Sequence, residues 1–123
     1  EVFTFTRAGQ RSDSSRGLGQ EDDTEEDPAP VNRHDAWSVA LAQALHRRTV
    51  QALKLPDRGH KTKHLGMLRA LNCPGALVES GFLSNETEAR KIATPAYRQQ
   101  IAEALAAGID DYVRLVTAPA TKR

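Results

Sequence analysis

Apolar residues near the end of the chain recur every four positions and predict its longest amphipathic helix. The stripe extends to both sides of its central repeat and comprises Tyr97, Ile101, Leu105, Ile109, Tyr112, Val113 and Val116. Thr94 is placed to cap this helix, and Pro95 suits the first helical position, where its missing N–H is not needed. We therefore expect a helix that begins at Pro95 and buries this stripe.

A second helical pattern covers residues 35–54. Asp35 is a candidate cap for its first turn, and Pro56 prevents continuation. Residues on one face of this helix are expected to pack on the core, with Trp37 as a core anchor rather than a platform for a sugar ring. That face comprises Trp37, Ala40, Leu41, Ala44, Leu45 and Ala52.

Three short apolar segments predict strands. Residues 1–6 are rich in β-branched and aromatic side chains, and such a strand must pair with a segment outside its own neighbourhood. The segments 65–69 and 76–78 have strand length and are separated by the turn residues 72–75. The polar stretch 57–64 reads as a loop.

Asn85 predicts the start of a short helix over residues 86–93. Glu88, three positions later, completes a capping box with it. The succession of strands and helices indicates an α/β layered domain.

Charge divides the 123-residue chain near residues 28–30. Residues 1–30 carry three Arg against eight Asp and Glu, whereas residues 31–123 have a net charge of +6. Residues 7–30, with six carboxylates between Glu21 and Asp27, are expected to form an acidic disordered insert. Residues 1–6 and 31–116 then form the folded part, and residues 117–123 a frayed tail.

Composition also excludes several classes of partner. No apolar run is long enough to cross a bilayer, so membrane insertion is not expected. The positive charge of residues 31–123 is too modest, and too mixed with acids, to indicate nucleic-acid binding. No feature of the sequence indicates an oligomeric state, and a monomer is expected.

The cysteine and the histidines offer little chemistry by themselves. Cys73, the single cysteine, excludes an intramolecular disulfide and is expected to be a small buried side chain. His60 and His64 have the spacing of a helical zinc motif, but they fall in the predicted loop and are expected to be exposed. His34 is interpreted as a surface or capping residue, and His46 is expected to face solvent.

The most informative stretch runs from the strand at 76–78 into Glu79. Ligands of α/β sheets bind beyond the carboxyl ends of the strands, and burial disfavours the charged form of a carboxylate there, which suits a general base near neutral pH. By this argument alone, a solvated loop glutamate is the commoner alternative.

Several motifs in this order resemble the C-terminal portion of the zinc-dependent N-acetylmuramoyl-L-alanine amidases, the bacterial cell-wall hydrolases. The shared pieces are Asp57-Arg58-Gly59 with Lys61, Leu68-Arg69, Val78-Glu79-Ser80-Gly81-Phe82-Leu83-Ser84-Asn85, Ile101-Ala102 and Gly108-Ile109 with Tyr112. The resemblance implies a partial twisted mixed β-sheet flanked by helices. It also implies a protein of the periplasm or the extracellular cell wall that acts on peptidoglycan.

The same resemblance implies roles for particular residues. The family hydrolyses the amide between N-acetylmuramic acid and L-alanine with a Zn²⁺ held by two histidines and a glutamate, and Glu79 matches its catalytic carboxylate. The positions of those zinc ligands precede the part that this chain resembles, so we expect no metal ligand here and an inactive chain if it acts alone. A non-catalytic remnant that binds the cell wall or a partner protein is the alternative.

Arg58 and Lys61 are candidates for contacting substrate carboxylates, because the stem peptides of peptidoglycan are acidic and the fork of arginine suits carboxylates. For Arg58, a bracing role in its own loop, through Asp57 or Glu79, is equally open.

Overall fold

The computed structural model describes residues 1–6, 33–54 and 56–119 as an α/β arrangement, which confirms the predicted fold class. The acidic segment 7–30 and residues 120–123 of the predicted tail lie outside the described residues. The elements, in chain order, are β1 (Val2–Phe5), α1 (Asp35–Leu53), β2 (His60–Lys63), α2 (Gly66–Arg69), β3 (Leu77–Val78), α3 (Glu86–Ala93) and α4 (Pro95–Thr117).

The three described strands form a mixed sheet with β1 in the centre. Strand β1 pairs parallel with β2, so that Val2 faces His60, and antiparallel with β3, so that Val2 also faces Val78. Val2, Phe3 and Thr4 are consecutive and all buried, as expected for a strand covered on both faces. The first strand thus finds its partners about 60 and 75 residues downstream, as its isolation in the sequence required.

Two predictions between α1 and β3 are wrong. Residues 60–63 of the predicted loop form β2, because pairing with β1 supplies the backbone hydrogen bonds that a polar edge segment lacks by itself. Residues 66–69 of the predicted strand form the one-turn helix α2, in which Leu68 is buried. Both edges of β1 are occupied by β2 and β3, so this apolar run packs as a helical turn instead.

Helix α1 matches the predicted range, but it buries a different face. Trp37, expected in the core, is 46% exposed, and Ala52 is exposed as well. The buried residues are Ser38, Ala42, Ala44, Leu45, Thr49 and Leu53. This face is set by close contact with α4, for which small side chains are better suited than an indole ring.

Helix α4 also has its predicted start and a different contact face. Its buried residues are Ala104 and Gly108, whereas Ile109 and Val113 of the predicted core stripe are 49% and 46% exposed. The strongest apolar periodicity in the chain therefore marks a helix correctly but does not mark the contact that this helix makes with α1.

The predicted caps are mostly confirmed. Asn85 accepts hydrogen bonds from the N–H groups of Thr87 and Glu88, and Thr94 caps α4 with Pro95 in its first turn. Glu88 does not complete a capping box, because its carboxylate accepts the N–H of Phe82 instead, at 2.7 Å.

Two further predictions need correction. His34, not Asp35, occupies the cap position of α1, and no side-chain hydrogen bond caps that end. Cys73 is exposed rather than buried, because it lies in the bend between α2 and β3. None of the helices in the described ranges combines the length and apolarity that a membrane crossing requires.

Candidate active site

A small cleft opens where the carboxyl end of β3 meets the start of β1 and the second half of α1. It is lined by Glu1, His46, Thr49, Val50, Leu53, Pro56, Arg58, Val78, Glu79, Ser80, Gly81, Phe82 and Glu88. Helix α1 contributes the apolar Val50 and Leu53 together with the polar His46 and Thr49. Sheet pairing and the turn before β2 bring Glu1, Glu79 and Arg58 into the same lining.

Glu79 enters the cleft directly after β3. Its backbone N–H donates to the carbonyl of Glu1 at 2.9 Å, and the nitrogen of Glu1 donates to the carbonyl of Glu79 at 3.2 Å. Residues that exchange both hydrogen bonds across an antiparallel pair are direct neighbours, so the two glutamates lie side by side at the end of the β1–β3 pair. In the described part of the chain, no hydrogen bond or ion pair engages the half-buried Glu79 carboxylate.

Gly81 allows the chain to turn tightly after Glu79. A Cβ at this position would lie 2.9 Å from Cδ1 of Ile92 and 3.1 Å from an oxygen of Glu88. The segment after β3 therefore packs against α3 at a distance that only glycine fits without displacement of these side chains, and this packing fixes the route of the chain past the cleft.

Glu1 is the charged residue of the cleft that is held most firmly. Its side chain is 10% exposed and accepts a hydrogen bond from Nζ of Lys61 at 2.9 Å. Burial by itself would raise the pKa of Glu1, but the hydrogen bond and charge of Lys61, with the charge of Arg58, act against burial, and that pKa is lowered. The ammonium of Lys61 is thus engaged by Glu1, and Lys61 does not line the cleft.

Arg58 places a half-exposed cation in the same cleft. Its guanidinium carbon lies 4.5 Å from the ring centre of Phe82, and Nη1 lies 3.7 Å from Oε1 of Glu1. The predicted partners Asp57 and Glu79 do not pair with it. No hydrogen bond from this guanidinium is found within the described ranges, and its side chain is 53% exposed, so its N–H groups can still bind an anion.

His46 lines the cleft and contacts Asp57, which lies outside the lining. His46 was expected to face solvent, but its side chain is only 21% exposed, and Nε2 lies 2.6 Å from Oδ1 of Asp57. That oxygen also accepts the N–H of Gly59 at 2.7 Å. The pKa of Asp57 is lowered, first by the Gly59 N–H and then by the hydrogen bond to His46.

The other histidines do not join the cleft. The expectation of exposed loop histidines is wrong: His60 lies in β2 with Nε2 at 2.9 Å from Oγ1 of Thr4, and His64 stacks on Phe5 with 5.4 Å between ring centres. His34 accepts a hydrogen bond from Nε of Arg33 at 3.3 Å. Over the ranges described, no three or more His, Cys, Asp or Glu side chains are grouped so as to hold a metal ion.

Sequence reasoning missed Glu1 and His46 as residues of this site. Glu1 becomes a neighbour of Glu79 only through strand register, which the sequence does not give. His46 is one helical position among several polar ones, and only the packing of α1 on the sheet turns it toward the turn that precedes β2.

Comparison with known proteins assigns the chain to a family. The family model described as N-acetylmuramoyl-L-alanine amidase matches residues 8–111. This chain is a member of that family. The match includes the cleft residues Arg58 and Glu79, and the resemblance expected from their motifs is confirmed.

Several amidase relatives align with about two thirds of the chain. An uncharacterized cell wall amidase of Bacillus anthracis is 42% identical over 68% of this chain and 16% of its own length. The sporulation-specific N-acetylmuramoyl-L-alanine amidase of Bacillus subtilis is 32% identical over 65% of this chain and 31% of its own length. An N-acetylmuramoyl-L-alanine amidase of Escherichia coli is 32% identical over 61% of this chain and 26% of its own length.

The chain therefore spans between about a sixth and a third of these amidase relatives. No solved structure matches it.

Proposed function

We propose that the protein hydrolyses the amide between N-acetylmuramic acid and L-alanine in peptidoglycan, with Glu79 as the catalytic carboxylate. The observation that carries this proposal is the position of Glu79 in a chain of the amidase family: it is half-buried, it lines the cleft, and no described residue occupies its oxygens. Action on peptidoglycan places the protein outside the cytoplasm, in the periplasm or the cell wall.

The chemistry follows from an unengaged carboxylate beside the scissile amide. Glu79 accepts a proton from the water whose oxygen attacks the amide carbonyl, and a tetrahedral centre forms. It then delivers that proton to the amide nitrogen as the C–N bond breaks, which releases the lactyl carboxylate and the amine of L-alanine. The apolar side chains of Val50, Leu53 and Phe82 in the same lining limit the water around this carboxylate.

The family's zinc has no fitted site among the residues that the structure describes, because they contain no cluster of three ligating side chains. The zinc that the resemblance implies stays an expectation for the whole protein.

Arg58 is proposed as the contact for a carboxylate of the stem peptide. Its half-exposed guanidinium has N–H groups to offer and lies in the same cleft as Glu79. For Lys61, the geometry favours an indirect role, since its ammonium holds Glu1 rather than facing the cleft.

A Glu79→Gln substitution tests the catalytic role. In the full-length protein we expect it to lower hydrolysis of purified peptidoglycan by about 10²–10⁴-fold, the usual contribution of a general acid–base group. Glu103→Gln, on the exposed surface of α4, is the matched control and should keep full activity. Normal turnover by the Glu79→Gln protein would exclude this role.

The second candidate function is a non-catalytic module that binds the cell wall or a partner protein. It is favoured by the lack of a ligating cluster among the described residues. Sedimentation with purified peptidoglycan separates the two functions. A binding module sediments with the wall and generates no product, whereas an amidase generates stem peptides with a free amine on L-alanine.

A further inference from the structure

The turn between α1 and β2 carries Arg58, and its shape is fixed from both sides. Oδ1 of Asp57 accepts the N–H of Gly59 at 2.7 Å, which closes the turn around Arg58. Gly59 has φ of 79°, a conformation that favours glycine. The carbonyl of Gly59 in turn accepts the N–H of Val2 at 3.2 Å, which ties the turn to β1.

His46 reaches this turn from the neighbouring helix. Its Nε2 lies 2.6 Å from the same Oδ1 that receives the Gly59 N–H. The imidazole is the one described side chain outside the turn that binds the Asp57 carboxylate. It therefore links the orientation of the turn to α1, a helix that lines the cleft.

This linkage affects the orientation of the Arg58 side chain. The side chain of Arg58 is half-exposed, and its contacts are a ring face at 4.5 Å and a carboxylate at 3.7 Å, neither of which fixes the direction of its N–H groups. The direction in which the guanidinium points therefore depends on the backbone of the turn, which Asp57 and His46 hold.

We propose that His46 is a positioning residue: through Asp57 it orients Arg58 so that the cleft favours substrates with a free stem-peptide carboxylate. This inference rests on the proposed function and extends it to a specificity that no comparison assigns. His46 itself does not touch the reacting amide in this scheme.

The test compares two muramyl peptides in the full-length protein, one with free stem-peptide carboxylates and one with the same carboxylates amidated. For His46→Ala we expect KM for the free acid to rise about tenfold, the usual loss when a charge-assisted hydrogen bond is misdirected. KM for the amidated peptide should change little. His46→Gln, whose Nε2 can still donate to Asp57, should restore most of the preference.

His34→Ala is the matched control, because His34 lies at the start of the same helix and does not line the cleft. Amide hydrogen exchange provides a readout that does not need activity: the Gly59 N–H should exchange faster in His46→Ala and at the wild-type rate in His46→Gln. If His46→Ala does not fold, His46→Asn, whose amide is too short to reach Asp57, takes its place.

The proposal is overturned if His46→Ala raises KM for both peptides equally, or if KM for the free acid in His46→Ala equals that in His34→Ala. If the wild-type protein cleaves neither peptide, the proposed function fails, and calorimetric binding of the two peptides then decides the inference. Weaker binding of the free acid alone in His46→Ala supports it, and unchanged binding overturns it.

Discussion

Gly108 lies where α4 crosses α1, and its missing side chain determines how closely the two helices approach. A Cβ built on it would come 2.9 Å from Cα of Leu45 and 3.2 Å from the carbonyl oxygen of Ala44. Because these are backbone atoms, they cannot move aside as the end of a flexible side chain can. Ala104, one turn earlier, is also buried and small.

Gly108→Ala should therefore destabilise the protein. An alanine normally favours a helix over glycine by about 1 kcal/mol, but forcing the helices apart should outweigh this and cost a net of about 1–3 kcal/mol. Urea unfolding measures the difference. Gly66→Ala, at a helical glycine with open space around it, is the control and should be neutral or slightly stabilising; equal effects of the two substitutions would contradict the packing argument.

Helices α1 and α4 are also joined by an ion pair. Arg48 donates from Nε and Nη2 to the two oxygens of Asp111, at 2.7 and 2.8 Å. The hydrogen bond from Arg48 comes first among the causes that lower the pKa of Asp111; burial opposes it, and the charges of Arg48, Arg47 and Arg114 add to it. A carboxyl whose pKa is lower when folded stabilises the fold only while it is ionised.

Asp111→Asn should lower the melting temperature at pH 7, and the loss should shrink in acid. The stabilisation from Asp111 is complete above the ordinary aspartate pKa of about 4 and disappears as the pH falls through the lower pKa of the folded state. Wild type and variant should therefore converge when melting is followed from pH 7 to pH 2. Asp110→Asn, at the exposed neighbouring position, is the control and should leave the melting temperature at pH 7 close to that of the wild type. A difference between Asp111→Asn and wild type that stays constant with pH would contradict the assignment.

For the whole molecule, β1 is the element on which the described sheet depends. It contacts both other strands, and the segments that it joins are far apart in the chain. Structure formed between residues close in the chain therefore cannot substitute for the contacts of β1. Val2 is 1% exposed, whereas Val113 on α4 is 46% exposed. Substituting alanine for valine at these two positions therefore compares a buried strand with an exposed face of α4.

Val2→Ala should lower the free energy of unfolding by about 2 kcal/mol, from lost burial and the cavity that remains. Val113→Ala should change it by less than about 0.5 kcal/mol. Chemical denaturation of both variants measures the contrast. A loss at Val113 as large as that at Val2 would show that the stripe on α4 is covered in the whole protein.

Local chemistry by itself determined much of this protein. Thr94 with Pro95 and the side chain of Asn85 fixed two helix starts, because a cap acts within one turn. The run around Glu79 predicted the family and the cleft residue on which the proposed catalysis depends, because its residues are adjacent in the chain.

The tertiary structure decided the features that depend on distant partners. Residues 60–63 became a strand because β1 had an open edge, and α1 and α4 turned their small residues toward each other, leaving Trp37 and Val113 at the surface. Glu1 and His46 joined Glu79 through strand register and helix packing. Periodicity shows that a helix has an apolar side, but which side is buried depends on how closely another element can approach.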